Sequence, residues 1–90
     1  MAYKVTMSRK IFRKLPKLPD AVQKRFDLLY EVLCREGPTG PYQWHNYGKL
    51  SETEYRCHLN YSYVACWRHE RKTIIIEVYY VGSRENAPYA

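Results

Sequence analysis

Long apolar runs are missing from this 90-residue sequence. The longest one, residues 74–81, is interrupted by Glu77 and is far shorter than the roughly 20 apolar residues of a membrane-spanning helix. The N-terminal residues also lack the apolar stretch of about 7 to 15 residues that a secretory signal requires. We therefore expect a protein that has no membrane partner and acts in the cytoplasm.

Cysteine is scarce, with three residues in the chain, and no Cys-x-x-Cys motif is present. Three cysteines cannot all pair within one chain, which argues against a disulfide scaffold. The histidine spacings are not typical of a zinc site either. The residues concerned are Cys34, Cys57, Cys66, His45, His58 and His69. The sequence predicts no metal and no small-molecule cofactor.

Acidic residues are absent from the first 17 positions, which contain six cationic ones. These are Lys4, Arg9, Lys10, Arg13, Lys14 and Lys17. The rest of the chain contains nine cationic and nine acidic residues, so the net charge of +6 comes from this N-terminal segment. A local basic field attracts polyanions, which indicates contact with a nucleic-acid backbone or an acidic protein partner. A solvated helix face is an equally good interpretation of the charge alone.

The first half of the chain has one strand pattern followed by two helix patterns. Residues 2–7 alternate apolar and polar side chains, as in a half-buried strand. Ser8 then offers an N-cap for a short basic helix that ends at the prolines of residues 16–19. A second helix is expected to begin near Asp20, which together with Gln23 is compatible with a capping box. Its apolar stripe consists of Val22, Phe26, Leu29 and Leu33, and Gly37 and Pro38 end it.

The second half contains three segments of strand composition, residues 55–60, 62–68 and 73–81. The short polar turns between them predict an antiparallel meander. We therefore expect an α+β fold in a single domain, residues 1–90, with an N-terminal strand, two helices and a three-stranded meander in one sheet packed on the helices. Trp44 and Trp67 are expected to pack in or near the core.

Alternation along the first meander strand separates two sets of side chains. One set, Tyr55, Cys57 and Leu59, suits a face packed on the helices. The other set, Glu54, Arg56, His58 and Asn60, then lies on the opposite face. A guanidinium and an imidazole are thus expected side by side, away from the core.

Residues 48–50 read Gly-Lys-Leu, residues 55–59 read Tyr-Arg-Cys-His-Leu, and the C-terminal run contains Val-Gly-Ser-Arg followed by Tyr89. These segments, with the order of strands and helices, resemble the RelE/ParE superfamily of bacterial toxins over most of the chain. Val-Gly-x-Arg with a nearby tyrosine is the most specific element. A RelE-like protein is a ribosome-dependent endoribonuclease that cuts mRNA and is held inactive by a cognate antitoxin, so the resemblance implies the ribosome, mRNA and an antitoxin as partners.

The resemblance implies a catalytic set of Arg56, His58, Arg84 and Tyr89. Cleavage of RNA without a metal requires a base for the 2′-hydroxyl proton and cations for the phosphorane charge. Histidine, with an ordinary pKa of about 6.5, suits the base, so we assign that role to His58. Arg56 and Arg84 suit bidentate phosphate contacts. Tyr89 is expected to stack on a base or to orient the leaving oxygen.

Further RNA contacts are expected from Lys49 and from the basic segment, which would dock on ribosomal RNA. The segment's residues are Arg9, Lys10, Arg13, Lys14 and Lys17. One position departs from the RelE pattern, because the arginine expected near Val64 is replaced by uncharged residues. The alternative interpretation is therefore a ParE-like gyrase inhibitor, or a toxin homologue that has lost catalysis and only binds an antitoxin.

Overall fold

A five-stranded sheet with two helices on one face forms the fold in the computed structural model, which describes residues 2–89. The elements are β1 (Lys4–Met7), α1 (Arg9–Lys14), a 3-10 turn (Leu15–Lys17), α2 (Asp20–Glu36), β2 (Gly48–Lys49), β3 (Glu54–His58), β4 (Tyr63–His69), β5 (Ile75–Ser83) and a second 3-10 turn (Arg84–Asn86). The strand order is β1-β5-β4-β3-β2. No helix within this range is long and apolar enough to cross a membrane.

The predicted α+β fold and the antiparallel meander β3-β4-β5 are confirmed. The first strand, β1, joins the sheet by pairing parallel to β5. The two-residue strand β2 was not predicted; it pairs antiparallel to β3 and extends the sheet at that edge. A pair of residues has no periodicity from which a strand is recognisable.

The two helix starts differ in how they are capped. At α1, the Ser8 hydroxyl accepts a hydrogen bond from the Ile11 amide at 3.2 Å, so the predicted N-cap is confirmed. At α2, the predicted capping box is wrong, because Pro19 is the N-cap residue and no side chain caps the helix. The Gln23 amide reaches back past the helix start and donates to the Leu18 carbonyl at 2.7 Å.

The core lies between α2 and one face of the sheet. The predicted stripe of α2 is buried, and no member is more than 3% exposed. It packs in one cluster with Tyr55, Cys57 and Leu59 of the β3 segment, as the alternation predicted. Trp67 is also fully buried, and its indole N–H donates to the Pro38 carbonyl at 3.0 Å. Because the helices cover this face, the functional groups of β3 are left on the other one.

The face opposite the helices is covered only by short segments. Val64 and Cys66 are fully buried there, yet they lie outside the helix-side cluster. The C-terminal segment is anchored beside them, since the Arg84 amide donates to the Ser62 carbonyl at 2.8 Å and Ala87 is buried. The loop before β2 approaches from the β3 edge, where the His58 amide donates to the His45 carbonyl at 2.8 Å. A shallow, partly covered surface results.

Candidate active site and nucleic-acid interface

The sheet register places uncharged residues beside the candidate catalytic groups. Arg56 lies opposite Cys66, and His58 lies opposite Val64, which in turn lies opposite Gly82. Val64 is the position where a RelE-like arginine was expected, and it is fully buried. Burial raises the pKa of the Cys66 thiol to about 12, so this thiol stays protonated at neutral pH. The floor of the site is therefore neutral, and its charge comes from the flanking arginines.

Arg56 is held between a glycine and a tyrosine. A Cβ atom at position 48 would lie 3.4 Å from its Nη2 atom, so Gly48 gives the guanidinium room. On the other side, the Tyr89 ring centroid lies 4.9 Å from the guanidinium carbon. Arg56 Nε and Tyr89 Oη are both buried, and neither has a hydrogen-bond partner among residues 2–89. Buried polar groups are normally paired, so these two atoms are exceptions within the described chain.

His58 is almost fully buried and is oriented by the loop before β2. The Asn46 amide nitrogen lies 3.1 Å from Nε2 of His58. The His45 ring packs edge-on, with centroids 5.2 Å apart. With the amide nitrogen as the donor, a neutral imidazole accepts this hydrogen bond at Nε2 and carries its proton on Nδ1. Nδ1 itself has no partner within the described chain.

Burial lowers the pKa of His58 from its ordinary value of 6.5, and the nearby charges of His45, Arg84 and Arg56 lower it further. Arg56 lies on the same strand as His58, and Arg84 follows the strand segment that is in line with His58 across Val64. A lowered pKa keeps the imidazole neutral at pH 7, which is the state that a proton acceptor needs.

Arg84 follows β5 and is exposed. Its guanidinium carbon lies 5.3 Å from the Tyr61 ring centroid, at the tip of the β3–β4 hairpin. Lys14 of α1 reaches the same end of β5, where its Nζ atom lies 5.2 Å from the Tyr80 ring centroid. Lys14 was predicted as part of a docking surface, and its Nζ atom also reaches the edge of the site, beside Gly82.

The cations that were predicted to contact RNA lie at three places. Lys10, Arg13, Lys14 and Lys17 line a shallow groove of about 330 Å³. Arg9 is exposed but does not line this groove. Lys49 lies on the helix side of the sheet, because it is paired with Tyr55 and its Nζ atom is 5.9 Å from that ring. The structure thus does not bring Lys49 to the cluster around His58, and we leave it out of the site.

Three contributors to the site were missed by sequence reasoning. Asn46 and Tyr61 lie in loops without periodicity, and their partners become apparent only in three dimensions. Tyr80 lies in a predicted strand, and nothing in the sequence distinguishes it from the other nine tyrosines of the chain. Among residues 2–89, no group of three or more metal-ligating side chains is arranged around a common point.

Solved structures with the same fold are bacterial and archaeal toxins. No protein family and no curated protein matches the sequence. The archaeal RelE–RelB complex from Pyrococcus horikoshii OT3 is 21% identical, with a TM-score of 0.75, over 97% of this chain and 100% of that chain. The YoeB–YefM complex from Staphylococcus aureus is 14% identical, with a TM-score of 0.66, over 91% of this chain and 97% of that one.

A third structure, a mutant of the E. coli toxin RelE in complex with an antitoxin RelBc peptide, is 16% identical, with a TM-score of 0.70, over 91% of this chain and 83% of that chain. All three are toxins bound to antitoxins. The chain therefore has the fold of the RelE-like toxins, as the resemblance implied.

Proposed function

We propose that this chain is the toxin of a type II toxin–antitoxin system and that it cuts mRNA on the ribosome. One observation carries the proposal: on the face that the helices leave free, Arg56 lies two residues from His58 on β3, and the register places His58 in line, across Val64, with Gly82, two residues before Arg84. The RelE-like fold and the toxin–antitoxin complexes of its structural neighbours support the same assignment.

The chemistry follows from the two kinds of group. His58 Nε2 now accepts a hydrogen bond from the Asn46 amide, and the 2′-hydroxyl of RNA would take the place of this donor. Nε2 then accepts the hydroxyl proton as the oxygen attacks the adjacent phosphorus and the bond to the 5′-oxygen breaks. Arg56 and Arg84 neutralise the charge on the phosphorane. The departing 5′-oxygen takes a proton from water, and the products are a 2′,3′-cyclic phosphate and a 5′-hydroxyl end.

The absence of a cation at Val64 leaves the phosphate to the flanking groups. Arg84 is exposed, and Lys14 lies at the neighbouring end of β5. These two cations are candidates for the phosphate contact that the RelE pattern assigns to the β4 position. The Arg56 guanidinium packs against the Tyr89 ring, which suits a second contact from the β3 side.

Primer extension on mRNA bound to ribosomes tests this proposal. We expect breaks that require both the purified toxin and the ribosome, with ends that carry a 2′,3′-cyclic phosphate. Ends with a 3′-hydroxyl would contradict attack by the 2′-oxygen. Intact transcripts together with gyrase-dependent DNA breaks would support the alternative, a ParE-like gyrase inhibitor.

The basic groove is proposed as the ribosome contact. Reversing three of its exposed cations, in the variant Lys10→Glu/Arg13→Glu/Lys17→Glu, is expected to weaken ribosome binding and to lower the slope of log affinity against log salt by about 3, since each phosphate contact contributes roughly 1. Filter binding over a salt series measures both. The control Lys24→Glu/Arg35→Glu/Arg71→Glu changes the net charge equally at exposed positions outside the groove. Equal effects in both variants would show that only net charge matters.

The proposed antitoxin needs an apolar segment as well as an acidic one. A groove of about 480 Å³ runs between β1 and the two helices. Phe12, 65% exposed, and Tyr30 are on its surface, and Asp27 and Glu31 form a polar rim. An exposed aromatic in an apolar groove marks an interaction surface. We propose that the antitoxin covers this groove and that its acidic part lies on the basic groove of α1.

A further inference from the structure

The tip of the β3–β4 hairpin presents an aromatic ring to solvent in a rigid turn. The Asn60 carboxamide oxygen accepts hydrogen bonds from the amides of Ser62 and Tyr63 at 2.8 and 2.9 Å. The Ser62 carbonyl in turn accepts from the Arg84 amide at 2.8 Å. Tyr61 lies between these anchors and is 72% exposed. An ordered backbone therefore holds a large ring in water, where it contributes little to the core.

Two tyrosines pair with the two arginines that flank His58, and their surroundings differ. The Tyr89 hydroxyl is buried and its ring packs on Arg56. The Tyr61 ring is largely free, with the exposed Arg84 guanidinium 5.3 Å from its centroid. A nucleobase requires an open ring face to stack on, so the free ring at Tyr61 suits a base better than the packed ring of Tyr89.

We propose that Tyr61, with Arg84 against its ring, is the platform on which an unpaired RNA base next to the cleaved phosphate stacks. Arg84 links the platform to the chemistry, because it follows Gly82, which the register places in line with His58 across Val64. The inference rests on the proposed function for the identity of the ligand, a single RNA strand. Stacking tolerates every base, so Tyr61 would increase the affinity for RNA and fix the position of the strand in the site without strict sequence specificity.

Binding of a non-cleavable RNA tests the platform without requiring catalysis. The probe is a fluorescently labelled heptanucleotide with 2′-O-methyl groups, and the full-length protein is titrated into it at low salt while anisotropy is recorded. We expect Tyr61→Ala to weaken binding by roughly 5- to 150-fold, the range found when base-stacking aromatics are truncated. Tyr61→Phe keeps the ring and is expected to bind within about twofold of the wild type. Tyr42→Ala removes an equally exposed tyrosine, 64% exposed, and serves as the matched control.

Abasic probes show whether the lost affinity comes from stacking. One abasic site is moved through the heptanucleotide, and at one position it is expected to weaken wild-type binding about as much as Tyr61→Ala does. The same abasic probe should bind Tyr61→Ala no more weakly than the intact probe does. The proposal is overturned if Tyr61→Ala binds like the wild type, if no abasic position is coupled to Tyr61, or if the wild type binds no RNA.

The two proposals fail separately. If Tyr61→Ala and one abasic position weaken binding non-additively but no mRNA is cleaved on ribosomes, the nuclease assignment is contradicted and the platform is supported. If Tyr61→Ala cleaves mRNA at the wild-type rate and its binding defect is independent of every abasic position, the platform is contradicted and the nuclease assignment is supported.

Discussion

Replacement of His58 by glutamine is expected to slow mRNA cleavage by roughly 10²- to 10⁴-fold, the usual contribution of a positioned general base. Glutamine retains a polar group near Asn46 but cannot accept a proton at neutral pH. The rate is measured as a single turnover on ribosomes programmed with one mRNA, so that binding does not limit it. His69→Gln is the matched control, because His69 lies at the other end of the sheet and contacts the Thr73 carbonyl.

The pH dependence of cleavage provides a second readout for His58. Its pKa is lowered, mainly by burial, so the imidazole is neutral at pH 7 and the wild-type rate should fall only when the pH drops through that lowered pKa, below 6.5. His58→Gln should lack this fall in rate.

The protonation of His58 also affects the stability of the fold. In that acidic range the unfolded chain binds the proton more readily, so the free energy of unfolding decreases as the pH falls below 6.5, and His58→Gln removes this decrease.

Two results would contradict the role of His58. One is a wild-type rate in His58→Gln, which would assign the base to another group. The other is a loss of activity in which the unfolding free energy also falls at neutral pH, since this would identify His58 as a structural residue only. Urea unfolding of both proteins at pH 7 separates the two cases.

The elements that the sequence predicted well are those with a clear hydrophobic period. The stripe of α2 and the alternation in β3 each specify a buried face, and burial of these faces decides the packing of helix on sheet. The sequence therefore predicted that Arg56 and His58 share the uncovered face. The capping box failed because Asp20 and Gln23 have the right spacing but follow Pro19, which already fixes the helix start.

The completion of the site could not be predicted from the sequence, because it depends on contacts between distant segments. Asn46 has a positive φ of 53° and meets His58 across 12 residues of chain. Tyr61 and Arg84 meet only because the Ser62 carbonyl pairs with the Arg84 amide at the end of the meander. No local pattern encodes such pairings. Lys49 shows the converse, since it belongs to a segment that resembles the RelE-like toxins and yet does not lie at the site.

Replacement of Arg84 by alanine is expected to reduce cleavage by roughly 10²- to 10³-fold, the loss typical of removing one group that stabilises the transition-state charge. Arg84 is exposed, so the fold should be retained. Arg84→Lys keeps the charge but loses the bidentate geometry, and its rate should lie between those of the wild type and Arg84→Ala. Arg71→Ala, which removes an exposed arginine paired with Glu52, is the control.

The same variant changes the electrostatics of the site in a direction that NMR detects. The charge of Arg84 lowers the pKa of His58, so Arg84→Ala should raise that pKa and move the acid limb of the rate profile to higher pH. A slower rate with no movement of the His58 pKa would mean that Arg84 acts only on RNA at a distance from the imidazole. If neither the rate nor the pKa changed, the guanidinium would have no part in the site.

The variant Tyr61→Ala/Arg84→Ala distinguishes the two functions of Arg84. If the losses of the two single variants multiply, the phosphate contact and the stacked base act independently. If the double variant loses no more than Arg84→Ala alone, Tyr61 acts through the arginine.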